Sequence, residues 1–146
     1  MHSDRSAVVV LLLRCFLGFA LFVPLGIDKL AAFPGSSAGL VDSHRETILG
    51  VGPGIALLYV FSYTLPFVET LGGLALLVGW QTRRAFILMA FLLVVLSFGT
   101  TLGGRIGTTA NNLVFLAACL WGYLLADADR YGISAWMRAG QTGSDR

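Results

Sequence analysis

Charge is what this chain most lacks: of 146 residues only 12% are charged and 56% are hydrophobic, with a mean hydropathy of +0.79. A water-soluble domain carries about 25% charge, so that class is excluded. Its 10 Lys plus Arg against 8 Asp plus Glu leave a net charge of +2, too small and too scattered for a basic face, which excludes nucleic acid as a partner. Cysteine is scarce as well. Cys15 and Cys119 lie far apart inside apolar runs and form no CxxC, which argues against a disulfide scaffold and against a thiol-exchange enzyme. The two histidines, His2 and His44, fall outside those runs, so this chain alone lacks the axial ligands of a bis-histidine haem. There is no Gly-rich nucleotide fingerprint, no metal-ligand cluster and no Ser/His/Asp set. No catalytic residue, metal or ligated cofactor is therefore expected, and electron transfer would need a partner or a diffusible carrier.

What the chain has in abundance is long apolar runs. A bilayer core about 30 Å thick needs about 20 mostly apolar helical residues at a rise of about 1.5 Å each. Four stretches qualify. Ala7 to Pro24, running on to about Lys29, carries only Arg14 as a charge within its apolar part; Gly54 to Gly79 carries only Glu69; Ala85 to Leu102 and Gly107 to Ala126 carry none. The runs are continuous rather than alternating, which favours helices over barrel strands. The expected fold is an all-α integral membrane bundle of four transmembrane helices, a single membrane domain over residues 1–146, with spans near 7–29, 54–79, 85–102 and 107–126. The first run is too long for a secretory signal and holds an embedded arginine, so it reads as a retained helix.

An even number of spans puts both termini on one side. Arg5, Arg83, Arg84, Arg130, Arg138 and Arg146 share that side, against Lys29, Arg45 and Arg105 on the other, which favours cytoplasmic termini. Only the connection between the first two spans is long. Its Pro34-Gly35-Ser36-Ser37 reads as a turn and Leu40 to Leu49 as a short interfacial helix capped by Asp42 or Ser43, lying on the membrane surface or plugging the bundle mouth. In the tail, residues 127–146, Tyr131, Ile133, Trp136 and Met137 among charges suit an interfacial anchor, and Gln141 to Arg146 read as a frayed polar end.

Arg14 is the most informative residue. An arginine near mid-helix costs roughly 2.5 to 3.5 kcal/mol on insertion scales and needs a partner. Counted from the end they share, Arg14 lies about 10 Å deep and Glu69 about 15 Å deep, so the spacing predicts an Arg14–Glu69 pair between the first two helices. Such a pair is either helix glue or a ligand-binding or proton-relay site. Pro66, one turn before Glu69, cannot donate to the Ser62 carbonyl and should kink its helix, while Gly72 and Gly73 beside Glu69, and Gly18 near Arg14, would let helices approach closely. Asp28 and Lys29 at the outer interface read as a solvated pair or as part of a gate. Asn111 and Asn112 either cap or cross-link the fourth span or bond a ligand head group. Ala90, Ser97 and Thr101 share a face that reads as a packing seam, and Tyr59, Tyr63, Trp80, Trp121 and Tyr123 either belt the interfaces or line a quinone or lipid groove.

These residues resemble the DoxX family of small four-span membrane proteins, which includes DoxD-like small subunits of thiosulfate:quinone oxidoreductase. The likeness rests on Leu13-Arg14 followed by Gly18, Gly26 and Lys29, on Leu65-Pro66-Phe67-Val68-Glu69-Thr70-Leu71-Gly72-Gly73 leading to Gly79 and Thr82-Arg83, and on Ser97-Phe98-Gly99-Thr100-Thr101-Leu102, Asn112 and Arg130-Tyr131-Gly132-Ile133-Ser134. Ala135-Trp136 depart from the aspartate that tends to follow in the family. The resemblance implies a bacterial or archaeal plasma-membrane protein working beside redox enzymes, with quinone chemistry or oxidative-stress defence as recurring associations, and it carries over Arg14, Lys29, Glu69 and Arg83. The leading expectation is a non-catalytic accessory subunit of a redox or respiratory membrane complex, touching lipid and other redox subunits, with quinone or lipid bound near the charged pair. A small oligomeric transporter or channel using Glu69, a thiosulfate:quinone oxidoreductase small subunit, and a structural scaffold stand beside it.

Overall fold

The computed structural model describes residues 2–47 and 51–137. Ile48 and Leu49 of the expected interfacial helix lie outside them, as do Arg138, Arg146 and the polar end from Gln141. The first helical rod runs through α1 (His2–Ala20), a π-helical stretch (Leu21–Ile27) and α2 (Asp28–Ala31). A short helix follows, α3 (Gly35–Asp42), and then α4 (Pro53–Val78), α5 (Thr82–Leu102) and α6 (Ile106–Leu125), which ends in a 3-10 turn (Ala126–Ala128). Among the described residues there is no strand, and four helical stretches, Asp4–Ala31, Pro53–Val78, Thr82–Leu102 and Ile106–Met137, are long and apolar enough to cross a membrane. The protein is an all-α, multi-pass membrane bundle.

Its surface follows from lipid as solvent. Leu12, Phe16, Leu71, Phe91, Val114 and Leu124 are exposed along the spans, where hydrocarbon replaces water and their exposure is favourable. Inside, Val10, Leu17, Leu21, Leu65, Leu76, Phe86, Met89, Leu93 and Cys119 form one core. Because lipid tails are as apolar as leucine, close backbone approach matters more for association than burial alone. The first rod and α4 meet in this way: a Cβ at Gly18 would stand 2.8 Å from the Leu77 backbone nitrogen, and one at Gly73 2.6 Å from that of Phe22. Gly26 meets Thr70 in the same seam, while Gly72 receives Met89 of α5 and Gly122 of α6 receives Phe86. α5 packs along the whole of α6 and only loosely along α4.

Pro24 explains the π-helical stretch. It lacks the N–H that an α-helix would use, and the chain widens around it, so that the Asp28 N–H reaches back five residues to the Val23 carbonyl. The rod continues through this widening to Lys29.

The connection between the first two spans departs from expectation. Gly35, Ser36 and Ser37, read as a turn, open α3; Asp42 and Ser43, read as its N-cap, close it. Local hydrogen bonds decide this: Ser36 Oγ donates to the Lys29 carbonyl at 2.8 Å, the Ala38 N–H to that of Pro34 at 3.0 Å, and Ser43 Oγ to that of Leu40 at 2.9 Å. The small residues let α3 lie close against α4 across the bundle mouth, burying Ser37 and Val41. Of the expected seam on α5, Ala90 and Ser97 are buried, but Thr100 rather than Thr101 continues it.

Gly73→Leu should force the first rod off α4 and lower stability by about 1–3 kcal/mol or more. Gly107→Leu, on a face where an added Cβ meets nothing within 4 Å, should leave stability nearly unchanged. Thermal unfolding of both variants in the same detergent checks this, and equal midpoints would refute the seam.

Candidate functional site

The two intramembrane charges of the first rod and α4 do not meet. Arg14 Nη1 donates to Asp129 Oδ2 at 3.1 Å, and Glu69 is held by Lys29, whose Nζ donates to Oε1 at 2.8 Å and to Oε2 at 2.7 Å. The expected Arg14–Glu69 pair is therefore corrected to two pairs. Side-chain direction is the physical reason: every Cα–Cβ bond in a helix tilts toward its N-terminus. Arg14 so reaches back toward the start of the first rod, where Asp129 follows the 3-10 turn after α6, and Lys29 reaches back from the rod's far end into the bundle, where Glu69 waits about 14 Å from the close of α4 by helical rise.

The Arg14 end is a clamp. Both side chains are about 95% buried (4% and 5% exposed), and Thr82 Oγ1 donates to the same Asp129 oxygen at 2.5 Å. Asp129 Oδ1 accepts the Tyr131 N–H, and Arg14 Nη2 approaches the Tyr131 carbonyl at 3.4 Å. The tail is stitched to the α4–α5 turn by the Ser134 N–H on the Gly79 carbonyl and by the Gln81 N–H on Ser134 Oγ. Gly79 closes α4 with φ +70, the left-handed turn in which its own N–H reaches Leu76 and that of Trp80 reaches Ala75. A side chain there, or at Gly132, would also collide with the Arg14 guanidinium. Arg83 lies outside the clamp, exposed, over the Tyr123 ring at 5.0 Å and 3.3 Å from Asp127.

The Glu69 end is a cavity of about 390 Å³ inside the α3 end of the bundle. Leu21 and Leu25 of the first rod, Leu65 and Pro66 of α4, and Leu93 and Leu96 of α5 give it apolar walls. Lys29 and Glu69 stand on its wall; Glu69 is 1% exposed and the Lys29 side chain 31%, so the pair is buried at its anion and open at its cation. Ser37 and Ser62 line it with buried hydroxyls that find no partner among the described residues. Ser62 precedes Pro66 by four residues, so its carbonyl also lacks the usual helical donor. Arg105, just before α6, and Thr108 and Asn112 of α6 make a polar opening.

Of the residues singled out in the sequence, Lys29, Glu69, Pro66 and Asn112 are brought together here. Arg14 is not, and Asp28 and Asn111 are exposed away from the cavity. The aromatics raised as a groove lining also lie elsewhere: Tyr63 packs between Phe33 and Tyr59, and Trp80 and Trp121 are exposed. Residues that sequence reasoning missed are Asp129, Gly132, Ser37, Thr100 and His44. His44, placed outside the bundle on sequence grounds, is buried at the edge of the cavity, its Nδ1 3.0 Å from the Leu40 carbonyl and its ring against Gly103.

A family model described as DoxX matches residues 9–102, well over half of the chain, spanning Arg14, Lys29 and Glu69 but neither Asn112 nor Asp129. No curated protein and no solved structure matches significantly.

Asp129→Ala strands the Arg14 charge in the bundle and should cost about 3–5 kcal/mol, whereas Arg14→Met with Asp129→Leu, which removes both charges, should recover most of it. Reversible unfolding in mixed micelles measures the difference. A double variant no more stable than Asp129→Ala would show that the two charges are not coupled.

Proposed function

The chain belongs to the DoxX family of small multi-pass membrane proteins, and on that premise we propose that it binds a quinone head group at the Lys29–Glu69 pair, as a non-catalytic accessory subunit of a redox complex. One observation carries the reading: an ion pair stands on the wall of a cavity that has a leucine-lined side and, around it, the hydroxyls of Ser37, Ser62 and Thr100. Ligand sites have this form, apolar with a few convergent polar groups. An ammonium has three N–H donors; Glu69 takes two, and the third is free for a carbonyl oxygen. Ser37 and Ser62 hydroxyls can donate to the oxidised ring and accept from the reduced one. Glu69 then holds Lys29 charged and oriented, and serves as a proton relay when a partner subunit delivers electrons to the bound ring.

The accessory role and a bacterial or archaeal plasma membrane are what the resemblance to the DoxX family implies. Arg5, Arg83, Arg84 and Arg130 at the clamp end, against Lys29, Arg45 and Arg105 at the other, support cytoplasmic termini. Surrounding lipid and neighbouring redox subunits are the expected partners.

Gentle purification from native membranes, followed by mass spectrometry of extracted lipids and co-purifying polypeptides, tests this. Quinone should co-purify with the unaltered protein and fall about tenfold or more in Lys29→Met/Glu69→Leu, a variant that leaves no charge stranded and so should keep its fold. Finding neither quinone nor a partner would overturn the proposal.

A further inference from the structure

Adjoining the polar cavity is a second hollow of about 200 Å³ between α4 and α5. The two share Leu40, His44, Leu96 and Thr100 as their common boundary. Beyond that boundary the lining is hydrocarbon: Leu57 and Phe61 from α4, Val95 and Phe98 from α5. Leu57 and Phe98 at its outer edge are 66% and 64% exposed, within segments that span the membrane, so the hollow opens sideways to lipid. It exists because α4 and α5 pack loosely while α5 holds tightly to α6, and because α5 has a glycine at this point. A Cβ added at Gly99 meets no atom within 4 Å.

We infer that the occupant of the polar cavity is a single-chain amphiphile whose hydrocarbon tail leaves through the α4–α5 groove into the bilayer, with the missing side chain of Gly99 keeping the exit open. This rests on the head-group site at Lys29 and Glu69. The cavity's other opening is edged by Arg105, Thr108 and Asn112, and a hydrocarbon chain directed there would desolvate polar groups without pairing them. The mouth above is crossed by α3, whose Ser37 and Val41 are buried. The apolar groove is the path on which neither cost arises, and it lets a molecule dissolved in the membrane enter without crossing water. Gly99 and Leu57 are thus specificity residues for the chain, and Lys29, Glu69, Ser37 and Ser62 for the head.

The experiment uses the full chain in nanodiscs and two probes, a dimethoxy-methyl-benzoquinone without a side chain and the same ring bearing a decyl chain. Gly99→Phe fills the groove from α5 and Leu57→Trp narrows it from α4, at a position already facing lipid. Either variant should weaken the decyl probe about tenfold or more while leaving the chainless probe unchanged. Unchanged decyl binding in both variants, or equal weakening of both probes, overturns the inference while leaving the head-group site standing. If neither probe binds the unaltered protein, the head-group site falls and this inference with it.

Discussion

A charge cannot be left alone in hydrocarbon, and in this bundle that constraint is met by side chains that lean toward the start of their own helix. Arg14 and Lys29 sit on one continuous rod, yet the tilt carries the first to the bundle's end and the second into its interior. Their counter-charges come from different places in the chain, Asp129 after the last span and Glu69 in the middle of the second. Two ion pairs at two levels then fix how the first rod lies against everything else, and the glycine seam with α4 fills in what the charges have aligned.

The two pairs stand in unlike surroundings. Around Arg14 the chain closes in: Thr82, the Tyr131 backbone, Gly79 and Gly132 crowd the guanidinium, and both of its terminal nitrogens have an acceptor while the buried Nε has none among the described residues. Around Lys29 the chain stays open, with unpartnered hydroxyls and a hollow. A tightly packed cluster holds a fold; one that borders a cavity is able to hold something else. The DoxX bundle is thereby divided into a packed end and a receptive end by how much space stands beside each ion pair.

Much of this was legible in the chain. Length of apolar run and scarcity of charge dictate four membrane helices, because a bilayer has a fixed thickness and tolerates little else. The importance of Arg14 and Glu69 followed from the cost of burying charge, while Lys29, read as solvated or as part of a gate, came only with the resemblance to the DoxX family. What depth arithmetic could not supply was direction. It treated Arg14 and Glu69 as points on two lines, whereas a long side chain displaces its charge by a helical turn toward the N-terminus, and Asp127 and Asp129 stood close enough to the last span to be weighed as partners on that ground. The position of α3 was hidden for another reason: Gly35, Ser36 and Ser37 are turn formers by local preference, and it takes the hydrogen bonds of Ser36 and Ser43 to nearby carbonyls, together with packing against α4, to make a helix start there. The groove beside Gly99 depends on what two helices fail to touch, and one strand of text carries no trace of that.

The clamp also bears on how the protein is made. Arg14 and Asp129 are 115 residues apart, so at translation rates of about 5–20 residues per second the arginine emerges on the order of ten seconds before its carboxylate exists. Lys29 and Glu69 are only 40 apart and can meet as soon as the second span enters. The Arg14 guanidinium therefore lacks its carboxylate while the second and third spans are made, and the clamp can close only once the segment that follows α6 exists.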